Sequence, residues 1–308
     1  MTLPDPAVAP PSLSEELRAA LPELRALAVD LASDAGRLVA RERAAALAGS
    51  GAVETKSTAT DVVTVMDRRS EEHLRGRLAR ERPGERVLGE EEGGDVRREA
   101  REAGALTWVL DPIDGTVNYL YGLSEYAVSV AAVLGDPTRA DRWWPVVGAV
   151  AEPATSCVYH AHLGGGAAVS GPDGSVALAC SSVERLDLTL LSTGFGYDAA
   201  VRREQARALV EILPKVRDIR RAGSAALDMC RVAAGLVDAY AERGVHVWDV
   251  AAGWLVAAEA GARVSTWDGG PGRPRGVLAC PPAVYPALET LVSRAYAHAC
   301  RISATSDR

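Results

Sequence analysis

From Ser14 to about Ala46, apolar residues recur at every third or fourth position with charged residues between them. That is the period of an amphipathic helix, so the chain is expected to open on one. Asp61 to Val65 reads as a short β-branched strand. Asp67 then stands where an N-cap belongs, ahead of a helix to about Arg82 that Pro83-Gly84 stops. The apolar run Thr107 to Leu110 predicts a strand, followed by a turn and a short helix. Further strands near Tyr126–Leu134, Val146–Val150 and Val158–His162 predict antiparallel sheet in the middle third. Beyond about Leu188 the texture changes: LTLLSTGF, REQARALVEIL, the segment around Ile219, SAALDMCRVAAG and DAYAER alternate strand and helix periods.

The chain shows neither an internal repeat nor a long linker. Its α+β half (13–188) and its α/β half (189–302) are therefore expected to pack as one unit behind a loose proline-bearing tail, residues 1–12. Among the 308 residues, 48% are hydrophobic, enough for a large core, yet no apolar run reaches the roughly 18 residues of a membrane span. The first residues lack the basic start and apolar stretch of a secretory or transit peptide. No membrane partner is expected. A net charge of −7 argues against nucleic acid as a partner. Cys157, Cys180, Cys230, Cys280 and Cys300 are odd in number and never form C-x-x-C, which predicts reduced thiols in a cytoplasm rather than a disulfide framework or a zinc site. Only Lys56 and Lys215 among the 34 basic residues are lysines, which singles out Lys56.

Candidate chemistry concentrates in WVLDPIDGTVNY, Trp108 to Tyr119, where an apolar strand runs into Asp111 and Asp114 around a stiff Pro112-Ile113. Gly115-Thr116 then opens a helix whose free amides suit a phosphate. Glu90, Glu91 and Glu92 follow Gly89 at the exit of another short strand. In VHVWDVAAGWLVAAEAG, Asp249 is read as ending an apolar strand and starting a helix. Each element alone has an ordinary reading as turn, solvated loop or helix cap. Together they are carboxylates at separate strand-to-helix junctions, a pattern that suits hard divalent cations, Mg²⁺ above all. Such cations would also reverse the local sign and admit an anionic ester.

DVVTVMD, GEE, DPIDGTVNY and HVWDVAAG, in this order, resemble the inositol monophosphatase family of magnesium-dependent, lithium-sensitive phosphatases. The likeness runs from about Gly36 to Ala297. It implies a layered αβαβα sandwich of the sugar-phosphatase type, usually homodimeric. It also implies two or three Mg²⁺ ions: Glu90, Asp111 and the Ile113 carbonyl on the first, Asp111, Asp114 and Asp249 on the second, Glu90 with water on a third. Asp67 and Thr116 match the pair that orients the nucleophilic water. Gly115, Thr116, Gly223, Ser224, Ala225, Glu242 and Asp249 match substrate contacts, and Lys56 and Asp61 match a mobile loop over the site. Ser224 also suits an N-cap, and His246 is expected in a strand, packed or hydrogen-bonded and turned away from Asp249 rather than serving as a ligand.

The function implied is hydrolysis of a small phosphorylated polyol, inositol 1-phosphate first, by metal-activated water. No GxSxG or similar signature suggests a covalent nucleophile. Phosphatases of 3′-phosphoadenosine, histidinol phosphate or fructose-1,6-bisphosphate share the metal motifs, and a regulatory binding protein with residual activity is a different class of reading. The chain departs from the commoner pattern at Ser124, in the third glutamate, and in an inserted DPTRADRWWP, residues 136–145, whose tryptophans are expected at a hairpin tip or contact surface.

Overall fold

The computed structural model describes residues 12–48, 53–56, 62–94, 106–139, 143–269 and 273–306. Helix α1 (Glu15–Ala48) carries the N-terminal periodicity, and Ser14 Oγ accepts the Leu17 N–H at its start (3.2 Å). Strands β1 (Val53–Thr55) and β2 (Val62–Thr64) pair antiparallel and lead into α2 (Val65–Glu81). The expected N-cap is corrected here: Thr64 caps α2, its Oγ accepting the Met66 N–H, while Asp67 lies one turn in and accepts the Thr64 N–H (2.7 Å). This reciprocal pair is a capping box, and the threonine hydroxyl takes the cap because the strand ends on it.

A seven-stranded sheet follows, in spatial order β3 (Arg86–Gly89), β4 (Leu106–Asp114), β5 (Ala127–Gly135), β6 (Trp143–Glu152), β7 (Cys157–His162), β8 (Ala167–Gly171) and β9 (Gly174–Ala177). Only β3 and β4 run parallel. Helix α3 (Thr116–Tyr121) joins β4 to β5. The second sheet has the order β11 (Asp218–Arg220), β10 (Leu190–Ser192), β12 (Ala239–Arg243), β14 (Gly276–Cys280), β13 (Arg263–Trp267). Helices α4 (Ala199–Ile212), α5 (Ala225–Ala233), α6 (Val247–Glu259) and α7 (Tyr285–Ser306) accompany it.

Side-chain alternation along β5 divides two cores. Val128, Val130, Ala132 and Leu134 face the core shared with α1 and α2, whereas Ala127, Ala131 and Val133 face the one shared with α5 and α6. The other sides of α5 and α6, through Met229, Val232, Val250 and Trp254, meet Tyr240, Val277 and Ala279 of the second sheet. Beyond that sheet, Leu191, Ala241 and Leu278 pack with Ala208 and Ile212 of α4 and Leu288, Val292 and Ala295 of α7. The layers therefore run αβαβα, the expected sandwich. Because α6 lies in the middle layer it is apolar all round, and Val250 to Ala257 are buried without interruption.

Some elements escaped the sequence reading. Strands β1, β8, β9, β13 and β14 and helix α7 were not anticipated, and the apolar triplet before Asp249 is not a strand, since β12 ends at Arg243 and α6 starts at Val247. Trp143 is neither hairpin tip nor contact surface: it is 3% exposed in the core and meets Trp254 edge-on, ring centroids 6.5 Å apart. The tail 1–11, the loop residue Asp61 and residues 140–142 of the insertion lie outside the described residues.

The approach of α6 to the first sheet passes through Gly148 of β6. A Cβ there would sit 2.7 Å from the carbonyl oxygen of Ala252 and 2.9 Å from its Cα, both backbone atoms. Gly148→Ala should push α6 off the sheet and destabilise the protein by about 1–3 kcal/mol. Denaturant unfolding that leaves the midpoint unchanged would show that this contact is loose.

Candidate active site

Asp111 and Asp114 both belong to β4, where residues three apart on a regular strand point to opposite faces. The register resolves this: Asp111 pairs with Ser129 and Asp114 with Ala127, so β4 holds one residue more than its partner across this stretch. The extra residue is a bulge at Pro112-Ile113, where proline has no N–H to give the ladder. Both carboxylates consequently face one cleft. The expected turn is thus a continuing, bulged strand. Ile113 N–H donates to Asp111 Oδ1 (3.1 Å), and the buried Ile113 side chain anchors the bulge in the first core.

Helix α2 docks against this bulge. Ser70 Oγ donates to the Pro112 carbonyl (3.2 Å), and Thr116 Oγ1 lies 3.0 Å from both Asp67 Oδ1 and the Ile113 carbonyl. Asp67 is fully buried, and burial pushes its carboxyl up to about 6 even though Thr64 hydrogen bonds favour the anion. Gly115, at φ 88°, admits this geometry: a Cβ would meet the Glu125 carbonyl oxygen at 2.8 Å.

The second sheet supplies the opposite wall. Ser224 caps α5 through Leu227 N–H (3.3 Å) and donates to Asp114 Oδ2 (2.6 Å), which also accepts the Ala226 N–H (2.7 Å). Capping and site contact are thus both made by one hydroxyl. Asp249 is the third residue of α6 and accepts the His246 N–H (2.6 Å). His246 is corrected accordingly: it is the N-cap of α6, exposed at the cleft rim and stacked on Trp248 at 4.9 Å. Glu242 accepts from Tyr240 OH (3.0 Å) and is pushed up to about 8, chiefly by burial.

The cleft has a volume of 440 Å³ and is lined by Lys56, Glu90, Asp111, Ile113, Asp114, Gly115, Thr116, Gly223, Ala225, Glu242 and Asp249. Asp67 and Ser224 reach it through Thr116 and Asp114. Of the three glutamates, Glu90 lines the cleft; Glu91 pairs with Lys56 Nζ (2.6 Å), which also touches Glu90 (2.7 Å); and Glu92, 53% exposed, turns toward Arg75. The sequence reading passed over Arg221, Phe195, Tyr197 and Trp248, which also line the cleft. One arginine among so many carries no signal, Phe195 and Tyr197 lie on a segment without a motif, and Trp248 stands inside HVWDVAAG, where only the aspartate has an evident chemical role. A wider cleft of 510 Å³ lies between α1 and the β6–β7 turn, but no cluster of carboxylates converges there.

Asp111, 1% exposed, is raised well above the ordinary carboxylate range by burial and by the charges of Glu90, Asp114 and Asp249. Burial also raises Asp249, with Glu90 and Asp114 adding to it, and raises Asp114 to about 6 against the Ser224 and Ala226 bonds. Among the described residues, no group of three or more His, Cys, Asp and Glu side chains stands close enough together to hold a metal ion without rearrangement. The carboxylates instead line an open, all-oxygen wall, held at a charge density that calls for a cation. That donor set fits a hard divalent ion keeping part of its water, and gives softer metals no nitrogen or sulfur.

The sequence pattern of the inositol monophosphatase family matches residues 20–307. An inositol-1-monophosphatase from Mycobacterium bovis is 50% identical over 247 residues, 78% of this chain and 83% of the relative. A Nus factor SuhB from Pasteurella multocida is 34% identical over 217 residues, 70% of this chain and 76% of the relative. The solved structure of Mycobacterium tuberculosis SuhB superposes with a TM-score of 0.73 at 42% identity, covering 89% of this chain and 97% of that one. The chain therefore belongs to the inositol monophosphatase family of phosphate-ester hydrolases.

Proposed function

We propose that the protein is a Mg²⁺-dependent phosphatase of small phosphorylated polyols, with inositol 1-phosphate as its substrate. The observation that carries the reading is a single cleft lined by Thr116, hydrogen-bonded to Asp67, by the carboxylates of Glu90, Asp111, Asp114 and Asp249, and by Glu242. Glu90, Asp111 and the Ile113 carbonyl would hold a first Mg²⁺, Asp111, Asp114 and Asp249 a second, and Glu90 with water a third. When bound, the ions supply the Lewis acidity that activates water and stabilises the leaving oxygen. A homodimer in the cytoplasm completes the proposal; no disulfide joins the five cysteines, which suits a reducing compartment.

The chain's own groups account for the remaining work. Thr116 Oγ1, donating to Asp67 or to the Ile113 carbonyl, keeps its lone pairs free to accept a proton from water in the cleft. Asp67, at about 6, is near enough to neutrality to draw that proton onward through Thr116. The N-terminal ends of α5 and α6 present Ala225 and Asp249 to the cleft, and the positive ends of the two helix dipoles favour a bound phosphate. On the far wall Glu242 is placed to take substrate hydroxyls, beside the cation Arg221.

The name of the Pasteurella multocida relative supports a second reading, a regulatory binding protein with residual activity. Mg²⁺-dependent phosphate release from a panel of inositol phosphates, histidinol phosphate, phosphoadenosine phosphate and fructose bisphosphate separates the readings.

Three outcomes are expected. Asp111→Asn keeps the side-chain shape but loses the charge, so phosphate release should fall at least about 100-fold with the thermal midpoint preserved. Wild-type turnover in saturating Mg²⁺ would contradict the two-ion assignment. Li⁺ should inhibit at fixed Mg²⁺, because a small hard cation fits oxygen ligands but carries half the charge; an activity curve no different from that with Na⁺ would rule this out. Glu242→Gln should lower kcat/KM for inositol 1-phosphate about 10- to 100-fold above pH 8, where the carboxylate is ionised, as loss of a hydrogen bond to a charged group worth roughly 1.5–3 kcal/mol implies. Glycerol 2-phosphate should be spared, and equal losses on both substrates would remove Glu242 from polyol recognition.

A further inference from the structure

We infer that Glu71 is the positioning residue for Glu90, an inference that rests on the metal-dependent phosphatase reading above. Glu71 is 0% exposed, lies one helical turn beyond Asp67 on α2, and takes no part in the proposed chemistry. A buried carboxylate is retained only where donors compensate its lost hydration. Here the donors are the loop itself: Glu71 Oε2 accepts the Glu91 N–H (2.8 Å) and Oε1 accepts the Glu92 N–H (3.1 Å). Arg75 Nε donates to Oε1 (2.8 Å) and its Nη2 donates to the Gly93 carbonyl.

The loop is clamped from its other side as well. Glu90 N–H donates to the Leu110 carbonyl (3.2 Å), and Gly89 N–H to the Gly93 carbonyl (3.0 Å). Gly89 is shaped by the same carboxylate, since a Cβ there would lie 2.1 Å from Glu71 Oε1. With the backbone of residues 89 to 93 held on both sides, Glu90 is the glutamate of the run that lines the cleft. One helix therefore sets two distances together: Asp67 to Thr116 through a side-chain bond, and Glu71 to the Glu90 loop through backbone bonds. The triple glutamate is read in one register because only the amides of Glu91 and Glu92 reach Glu71.

The test is Glu71→Gln, in which the side-chain amide turns a donor against one of the two loop N–H groups. Mg²⁺ alone is titrated into the metal-free protein by calorimetry, and the Mg²⁺ dependence of phosphate release is recorded beside it. Mg²⁺ affinity should fall about 10- to 100-fold, the usual effect of losing a group that orients a ligand. Turnover at saturating Mg²⁺ should stay within about threefold of wild type, since Glu71 touches no reacting atom. Gly89→Ala, which drives a methyl group into the same carboxylate, should give the same signature and carries the test if Glu71→Gln does not fold. A lowered thermal midpoint with unchanged Mg²⁺ affinity in the folded variants would make Glu71 merely structural and overturn the inference. A wild-type protein that neither binds Mg²⁺ nor releases phosphate would overturn the functional reading and this inference with it.

Discussion

Two aspartates three residues apart on one strand face the same cleft only if the strand gains a residue between them, and the arrangement of the site grows from that bulge. Pro112 marks where the ladder is broken, and its carbonyl, freed from the sheet, accepts from Ser70 and brings α2 into place. The Ile113 carbonyl turns to Thr116 at the start of α3. Asn118 of α3 then donates to the Glu125 carbonyl (2.6 Å) and the Ala222 carbonyl (2.8 Å), tying the approach to β5 to the segment that leads into α5. That segment ends at Ser224, which returns to Asp114. The bulge thus sits within a closed circuit of hydrogen bonds, so a shift at one point is transmitted to Asp111 and Asp114.

The same circuit holds charges together against their own repulsion. Burial and mutual proximity raise Asp111, Asp114 and Asp249 together, the signature of groups whose ionised forms are under-solvated in the protein alone. Packing elsewhere must offset this. The middle layer does so, because α6 buries an unbroken apolar run between two sheets and Gly148 lets it approach β6 at backbone contact. Asp249 sits at the N-terminal turn of this same helix, so the element packed between the two sheets also delivers a carboxylate to the cleft.

Features with a local chemical cause could be read from the sequence. The α1 periodicity, the apolar β4 and β5 runs and the cap at Ser224 reappear in the fold because burial on a fixed face or an orphan amide dictates them. Asp67 was noticed but assigned to the wrong place in its helix, since the cap preference of aspartate does not disclose that Thr64 precedes it with the same ability. Strands β8 and β9 were hidden because β9 is exposed along its whole length and lacks a hydrophobic alternation. The bulge was invisible, for DPID is an ordinary turn sequence until pairing with β5 shows four residues of β4 opposite three of β5. Glu71 lies in the polar run RRSEEHLRGRL, which reads as a solvated helix face; only tertiary contact with the loop after β3 reveals a buried anion.

The two sheets also divide the labour of the cleft. The first contributes Glu90, Asp111 and Asp114, fixed by backbone bonds and a bulge that tolerate little change. The second contributes Glu242 from β12, with Gly194 packed so closely that a Cβ would lie 2.0 Å from the carboxylate. Tyr240 holds the same group from below by its hydroxyl. Arg221 and the Phe195–Tyr197 segment complete this wall from loops flanking β11 and β10, where side chains can change without moving a strand. On the proposed function, rigid hydrolytic chemistry on one sheet and adjustable recognition on the other would be a physical route by which a single layered fold keeps its reaction while its phosphate ester varies.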